Sequence, residues 1–169
     1  MKPVSSFRAV LFICVLGTTV HAQDAIPVIT GADILDHGIY STTLVSTVKN
    51  PDSPTSQVLT QTTKLISATQ MIPAKIGTTF GFHFIIHGNP KGVRANLRAV
   101  FLFPPMTNAT TGQAYTRFEA NITAPLEDNN AAMYYDLTHT WEVVPGKWTF
   151  QIFDHDKKLL EEEFTLVPQ

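Results

Sequence analysis

Strict two-residue alternation in short runs, cut by Gly, Pro and Asn, constrains this chain more than any other feature. From Thr79 to His87, Phe80, Phe82, Phe84 and Ile86 share one face, while Gly81, His83, Ile85 and His87 share the other. A period of two belongs to strands, because successive side chains leave the pleat on opposite sides; a helix needs spacings of three and four. Asn89-Pro90-Lys91-Gly92 then reads as a turn. Val93, Ala95, Leu97, Ala99, Phe101 and Phe103 alternate with Arg94, Asn96, Arg98, Val100 and Leu102. The second half of that run is apolar on both faces, which predicts a central or covered strand, ended by Pro104-Pro105.

The C-terminal third reads the same way. Tyr135, Leu137, Trp141 and Val143 alternate with Tyr134, Asp136, Thr138, Thr140 and Glu142, predicting one strand with His139 on the core face, as a satisfied structural histidine. Pro145-Gly146-Lys147 turns the chain, Trp148, Phe150 and Ile152 face inward, and Asp154-His155-Asp156-Lys157-Lys158 forms a polar hairpin before a last strand, Leu159 to Val167. The segments Ile34–Val48 and Ser56–Met71 are threonine-rich and more weakly patterned. Seven or eight antiparallel strands result. The expected fold is all-β, a two-sheet immunoglobulin-like sandwich, with an antiparallel barrel as the alternative.

The N-terminus predicts a different fate for residues 1–22. Lys2 and Arg8 precede an uncharged run, Ala9 to Val20, which closes on Val20-His21-Ala22 before Gln23-Asp24. A basic start, a short apolar run and a small residue at the cut describe a secretory signal peptide; about 20 apolar residues are needed to span a bilayer. Cleavage is expected between Ala22 and Gln23, leaving a single sandwich domain over residues 23–169 and no membrane span. Cys14 lies inside the run, away from the cut, so lipid attachment there is not expected. Removing residues 1–22 takes two basic residues and no acidic one, leaving 147 residues, a net charge of −4 and no cysteine. Small exported domains commonly use disulfides, but 147 residues can bury a sufficient core without them. The combination suits a bacterial periplasm, and the small negative charge gives no reason to expect nucleic acid as a partner. The two sequons, at Asn108 and Asn121, read as chance in a threonine-rich chain.

Gly38-Ile39-Tyr40, Ile72-Pro73-Ala74 with Gly77, Phe80-Gly81, and Gly88-x-Pro90-x-Gly92 occur in an order and spacing that resemble a known family. The strongest piece is the hairpin segment Trp141, Glu142, Val143, Val144, Pro145, Gly146, Lys147, Trp148, with Phe150, Ile152 and Phe164 following. Together these residues resemble the exported bacterial proteins grouped as domain of unknown function 3859, from about Ile34 to Val167. The resemblance implies a small exported β-sandwich and transfers no catalytic residue. The hairpin residues also have a structural reading: Gly146 permits positive φ, Pro145 fixes the bend, and Trp141 and Trp148 fill the core.

Candidate chemistry is sparse. His83 and His87 are spaced as metal ligands on a helix, but on a strand they lie about 13 Å apart at roughly 3.3 Å per residue, too far for one ion bound at about 2 Å. A metal site would need help from another strand, with His37 as a third imidazole. Asp154-His155-Asp156 places carboxylates beside an imidazole, yet three consecutive hairpin residues are better explained as turn formers. Glu161-Glu162-Glu163 breaks the alternation of the last strand, which predicts a bulge or an edge with one charge pointing inward, both devices against edge-to-edge aggregation. No cofactor motif and no assembled catalytic set is present in the sequence. The leading expectation is therefore a non-catalytic periplasmic binding or interaction module, its partner a periplasmic protein or small ligand. A metal-binding or hydrolytic protein using His37, His83 and His87, or a structural or chaperone-like subunit pairing through an edge strand, are the alternatives.

Overall fold

The computed structural model describes residues 26–49 and 57–168; the leader and its cut between Ala22 and Gln23 lie outside them. The strands are β1 (Val28–Lys49), β2 (Gln57–Ser67), β3 (Met71–Pro73), β4 (Thr79–Asn89), β5 (Arg94–Thr107), β6 (Ala114–Pro125), β7 (Ala131–Asp136), β8 (Gly146–Asp154) and β9 (Lys157–Val167), with one 3-10 turn at Thr140–Glu142. They form a four-stranded sheet in the order β2-β1-β4-β7 and a five-stranded sheet in the order β3-β9-β8-β5-β6. Every strand pairing is antiparallel except the short β3–β9 contact. Among the described residues no helix is long and apolar enough to cross a membrane.

The two inward faces make the core, as the alternation requires. Phe80, Phe82, Phe84 and Ile86 of β4 are fully buried, as are Trp148, Phe150 and Ile152 of β8 and Phe164 of β9. Phe80 is the crossing point between the sheets, with ring centroids 5.6 Å from Trp148, 5.3 Å from Phe150 and 5.3 Å from Phe164. Side chains of this size each contribute about 1.5–3 kcal/mol on burial, so a cysteine-free core of this kind needs no covalent staple. β5 lies between β8 and β6, and Val100, on its outward face, is nonetheless fully buried. That is the central, covered strand expected from its two apolar faces.

Three expectations are corrected. β5 does not stop at Pro104-Pro105 but runs to Thr107; the prolines sit where the register with β6 shifts, between Leu102 and Met106, so the ladder loses no donor it was using. β7 ends at Asp136 instead of continuing to Glu142. The chain breaks there into the 3-10 turn, which leaves His139 exposed instead of in the core and Trp141 only half-buried. Glu142, expected on the polar face, is wholly buried.

Candidate functional site

The outward face of the four-stranded sheet carries the densest polar arrangement. β1 reaches it through two bulges. Thr30 and Leu35 each add one residue against β4, so the outward positions change from Gly31 and Asp33 to Asp36, Gly38 and Tyr40. Asp36 therefore stands opposite His83, and Gly38 opposite Gly81. The glycine pair leaves the floor bare. Tyr40 reaches the carboxylate of Asp36, four residues back on its own strand, so its ring must lie across position 38. Neither glycine has room for a side chain: a Cβ would sit 2.0 Å from the Ser67 carbonyl oxygen at Gly38 and 2.0 Å from that of Met133 at Gly81.

Around this floor the side chains bond to one another. His83 Nδ1 lies 2.6 Å from Asp36 Oδ1, and Tyr40 donates to the same oxygen at 2.5 Å. Tyr134 of β7 meets His83 Nε2 at 2.5 Å, and its oxygen lies 2.7 Å from Thr63 Oγ1 of β2. β2 and β7 are the two edges of the sheet, three strand spacings or about 14 Å apart if it were flat. One phenol and one threonine bridge the outward face from edge to edge. Tyr40 and Tyr134 pack edge to face at 4.7 Å, and Tyr40 is 3% exposed although it faces outward.

Burial, together with the charge of Asp36, pushes the Tyr134 phenol up to about 12 against the opposing hydrogen bond with Thr63. Burial and the bond to Asp36 raise Tyr40 further. Both phenols are thus donors at neutral pH. Partial burial raises the Asp36 pKa, but the bonds from Tyr40 and His83 outweigh it and hold the carboxyl below its ordinary value. These contacts are compatible with His83 giving Nδ1–H to Asp36 and accepting Tyr134 O–H on Nε2. The array resembles a proton relay in outline, but both imidazole nitrogens are occupied within the cluster.

The three candidate metal-binding histidines are not brought together. His37 stands opposite Phe82, on the face away from His83. Its Nδ1 lies 3.4 Å from Glu162 of β9, an inward-pointing carboxylate that also accepts Gln70 Nε2 at 2.7 Å. His87 is outward but has its own partners, Asp33 at 2.9 Å and Glu127 at 3.4 Å, and these bonds raise its pKa. Among the described residues no group of three or more His, Cys, Asp or Glu is placed to hold a metal ion. His155 sits at the tip of the β8–β9 hairpin with φ of +53° and its ring on the neighbouring Asp154, as a turn former. Asn108 binds the backbone N–H groups of Thr110 and Thr111 in its loop, and Asn121 is exposed on β6.

The hairpin motif resolves into distinct jobs. Trp148 is buried and donates Nε1–H to the Val144 carbonyl at 3.2 Å. Gly146 has φ of +131°, and Pro104 lies where its Cβ would be, at 2.9 Å. Pro145 leads directly into β8, while Trp141 stacks on His139. Glu142 accepts the Tyr135 hydroxyl on Oε1 at 2.8 Å and, on Oε2, the N–H groups of Thr138 and His139 and the Thr138 hydroxyl. It thereby ties the end of β7 to the crossover into β8. Alternation could not reveal this, because the period of two is abandoned at Asp136.

A crystal structure of an immunoglobulin-like protein from Pseudomonas aeruginosa is similar to this chain at 26% identity, with a TM-score of 0.60, over 85% of this chain and 98% of that one. No curated protein matches. The profile of the family described as domain of unknown function (DUF3859) matches residues 30–166, and the chain belongs to that family, with its immunoglobulin-like two-sheet fold.

Proposed function

We propose that the protein is exported from a bacterial cell, loses its leader after Ala22, and acts outside the cytoplasm as a binding or protein-interaction module with no chemical step of its own. The basic-apolar-small pattern of residues 1–22 supports export. The hydrogen-bonded face of Asp36, Tyr40, Thr63, His83 and Tyr134 carries the functional reading. Its reactive groups are spent on one another, so the accessible parts of Tyr134, His83 and Asp36, backed by the buried Tyr40, offer a partner a polar and aromatic surface rather than a nucleophile and base awaiting a substrate. Aromatic anchors surrounded by satisfied polar groups are the usual composition of a recognition surface.

Capture from a periplasmic extract on the immobilised protein, beside a Tyr134→Lys variant, tests this. A species held by the wild type and released by the variant is expected. Turnover of ester or phosphoester substrates that disappears in His83→Ala would contradict the reading, as would capture that is unaffected by the variant.

A further inference from the structure

The five-stranded sheet ends on β6, which pairs with β5 and with no other described strand. Its alternation is fixed at the end of the ladder. Just past Arg94 opposite Pro125, the Leu126 N–H donates to the Val93 carbonyl at 2.9 Å. Even-numbered residues of β6 therefore bond to β5, and odd-numbered ones turn their backbone groups to the rim. Pro125, which has no N–H, falls on an odd position, where β5 asks for none. Arg117, Glu119, Asn121 and Thr123 thus present their N–H groups at the rim, with no described residue to receive them. Register with β5 is unbroken over residues 117–125, and the inward residues Phe118, Ala120 and Ile122 are apolar. This stretch lacks the bulge and the inward charge that guard β9.

Charge then selects what can pair with it. On the outward side of β5 and β6 stand Arg94, Arg98 and Arg117 against a single carboxylate, Glu119. Glu119 is shared, with Arg98 at 3.0 Å and Arg117 Nε at 2.6 Å. Arg94 has no carboxylate partner; it holds the Thr123 hydroxyl through Nε at 3.1 Å and Nη2 at 2.9 Å, and Nη2 lies 3.4 Å from the Thr123 carbonyl oxygen. One uncompensated positive charge therefore sits toward each end of the open segment, in a chain of formal net charge −2. A second copy of β6 laid antiparallel over the whole segment would set Arg117 beside Thr123 of the other copy, and so beside its Arg94, like charge against like.

We infer that the β6 edge accepts, as an added antiparallel strand, an extended segment of a partner protein carrying one acidic residue opposite Arg117, another opposite Thr123, and apolar residues at the inward positions between them. Main-chain bonds along the rim supply the affinity common to strand addition, and the two carboxylates select the partner. The inward apolar residues cover Ala120 and Ile122, which are only half-buried at the rim. This surface deepens the interaction-module reading and rests on it, but lies on the other sheet from the His83 array.

The probe is the end-capped peptide Glu-Val-Thr-Val-Thr-Val-Glu, titrated into the isotope-labelled mature protein and followed by NMR. Saturable binding is expected, with the Arg117, Glu119, Asn121 and Thr123 amides shifted and their hydrogen exchange slowed. The same peptide with lysine for both glutamates should bind about tenfold more weakly, and N-methylation of its two threonines, which face β6, should abolish binding. The double variant Arg94→Glu, Arg117→Glu should exchange the preference and bind the lysine peptide more tightly; both side chains are exposed, and an unchanged melting temperature checks the fold. No binding at millimolar peptide, equal binding of the two peptides, binding that survives N-methylation, or a protein already dimerised through β6 would overturn the proposal. A periplasmic species released by Tyr134→Lys would stand in each of those cases, so the two failures are distinguishable.

Discussion

Glu142 is the residue whose loss should be felt most. It is a fully buried carboxylate that accepts two backbone N–H groups and two hydroxyls, with His139 Nδ1 a further 3.2 Å contact. Glu142→Ala leaves the buried Tyr135 hydroxyl and the part-buried donors of Thr138 and His139 without their acceptor, at about 1–3 kcal/mol for each that finds no water. A loss of roughly 3 kcal/mol or more is expected in the denaturation midpoint at unchanged slope. Glu142→Gln, which keeps one acceptor, should cost clearly less. Burial and the adjacent Glu142 carboxylate raise Tyr135 far above an ordinary phenol, so it should stay protonated in alkaline titration until the protein unfolds.

The outward array gives a signed pH dependence. The folded-state pKa of Asp36 is depressed. Its contribution to stability is therefore complete above the ordinary aspartate value and lost as pH falls through the lower folded value. Acid unfolding of Asp36→Asn should be flatter over that window than the wild type; an identical profile would show that the bonds from Tyr40 and His83 do not persist in solution. His87 runs the other way. Its bonds to Asp33 and Glu127 raise its pKa, so their contribution is full at pH below the ordinary histidine value and disappears as pH rises through the raised one. An NMR titration should find His87 above an ordinary histidine, returning toward it in Asp33→Asn and Glu127→Gln.

At the scale of elements, backbone space decides more than side-chain type. Gly81→Ala drives a methyl against the Met133 carbonyl oxygen, while Gly31→Ala on the neighbouring strand meets nothing within 4 Å. The first should cost about 2 kcal/mol or more, the second about 0.5 kcal/mol or less, read as melting temperatures. β9 pairs with β3 only over Thr165–Val167, so its earlier part is an edge. It is guarded by a bulge at Leu159 and by the inward Glu162. Glu162→Val should raise concentration-dependent association in sedimentation.

These devices also explain what was legible. β4, β5, β8 and β9 are read directly from alternation because one face of each is plainly core. β1 is not, since Thr30 and Leu35 reverse its parity twice and blur the pattern. Gly38, Tyr40 and Gly81 were legible as motif residues, but their role depends on Tyr40 lying over Gly38, which no linear spacing shows. The crossover after Asp136 continued an alternating pattern by composition alone, and so concealed both the exposed His139 and the buried Glu142.

For the whole molecule, the two sheets meet through a core of aromatic rings that includes no cysteine. The four-stranded sheet presents the closed polar array on its outward face. Its proposed role as a binding surface depends on the protein working outside the cytoplasm. Intact mass and N-terminal sequence of the protein from fractionated cells test that claim most directly. The account predicts a 147-residue chain beginning at Gln23 in the periplasmic fraction. A 169-residue chain retained in the cytoplasm would contradict it.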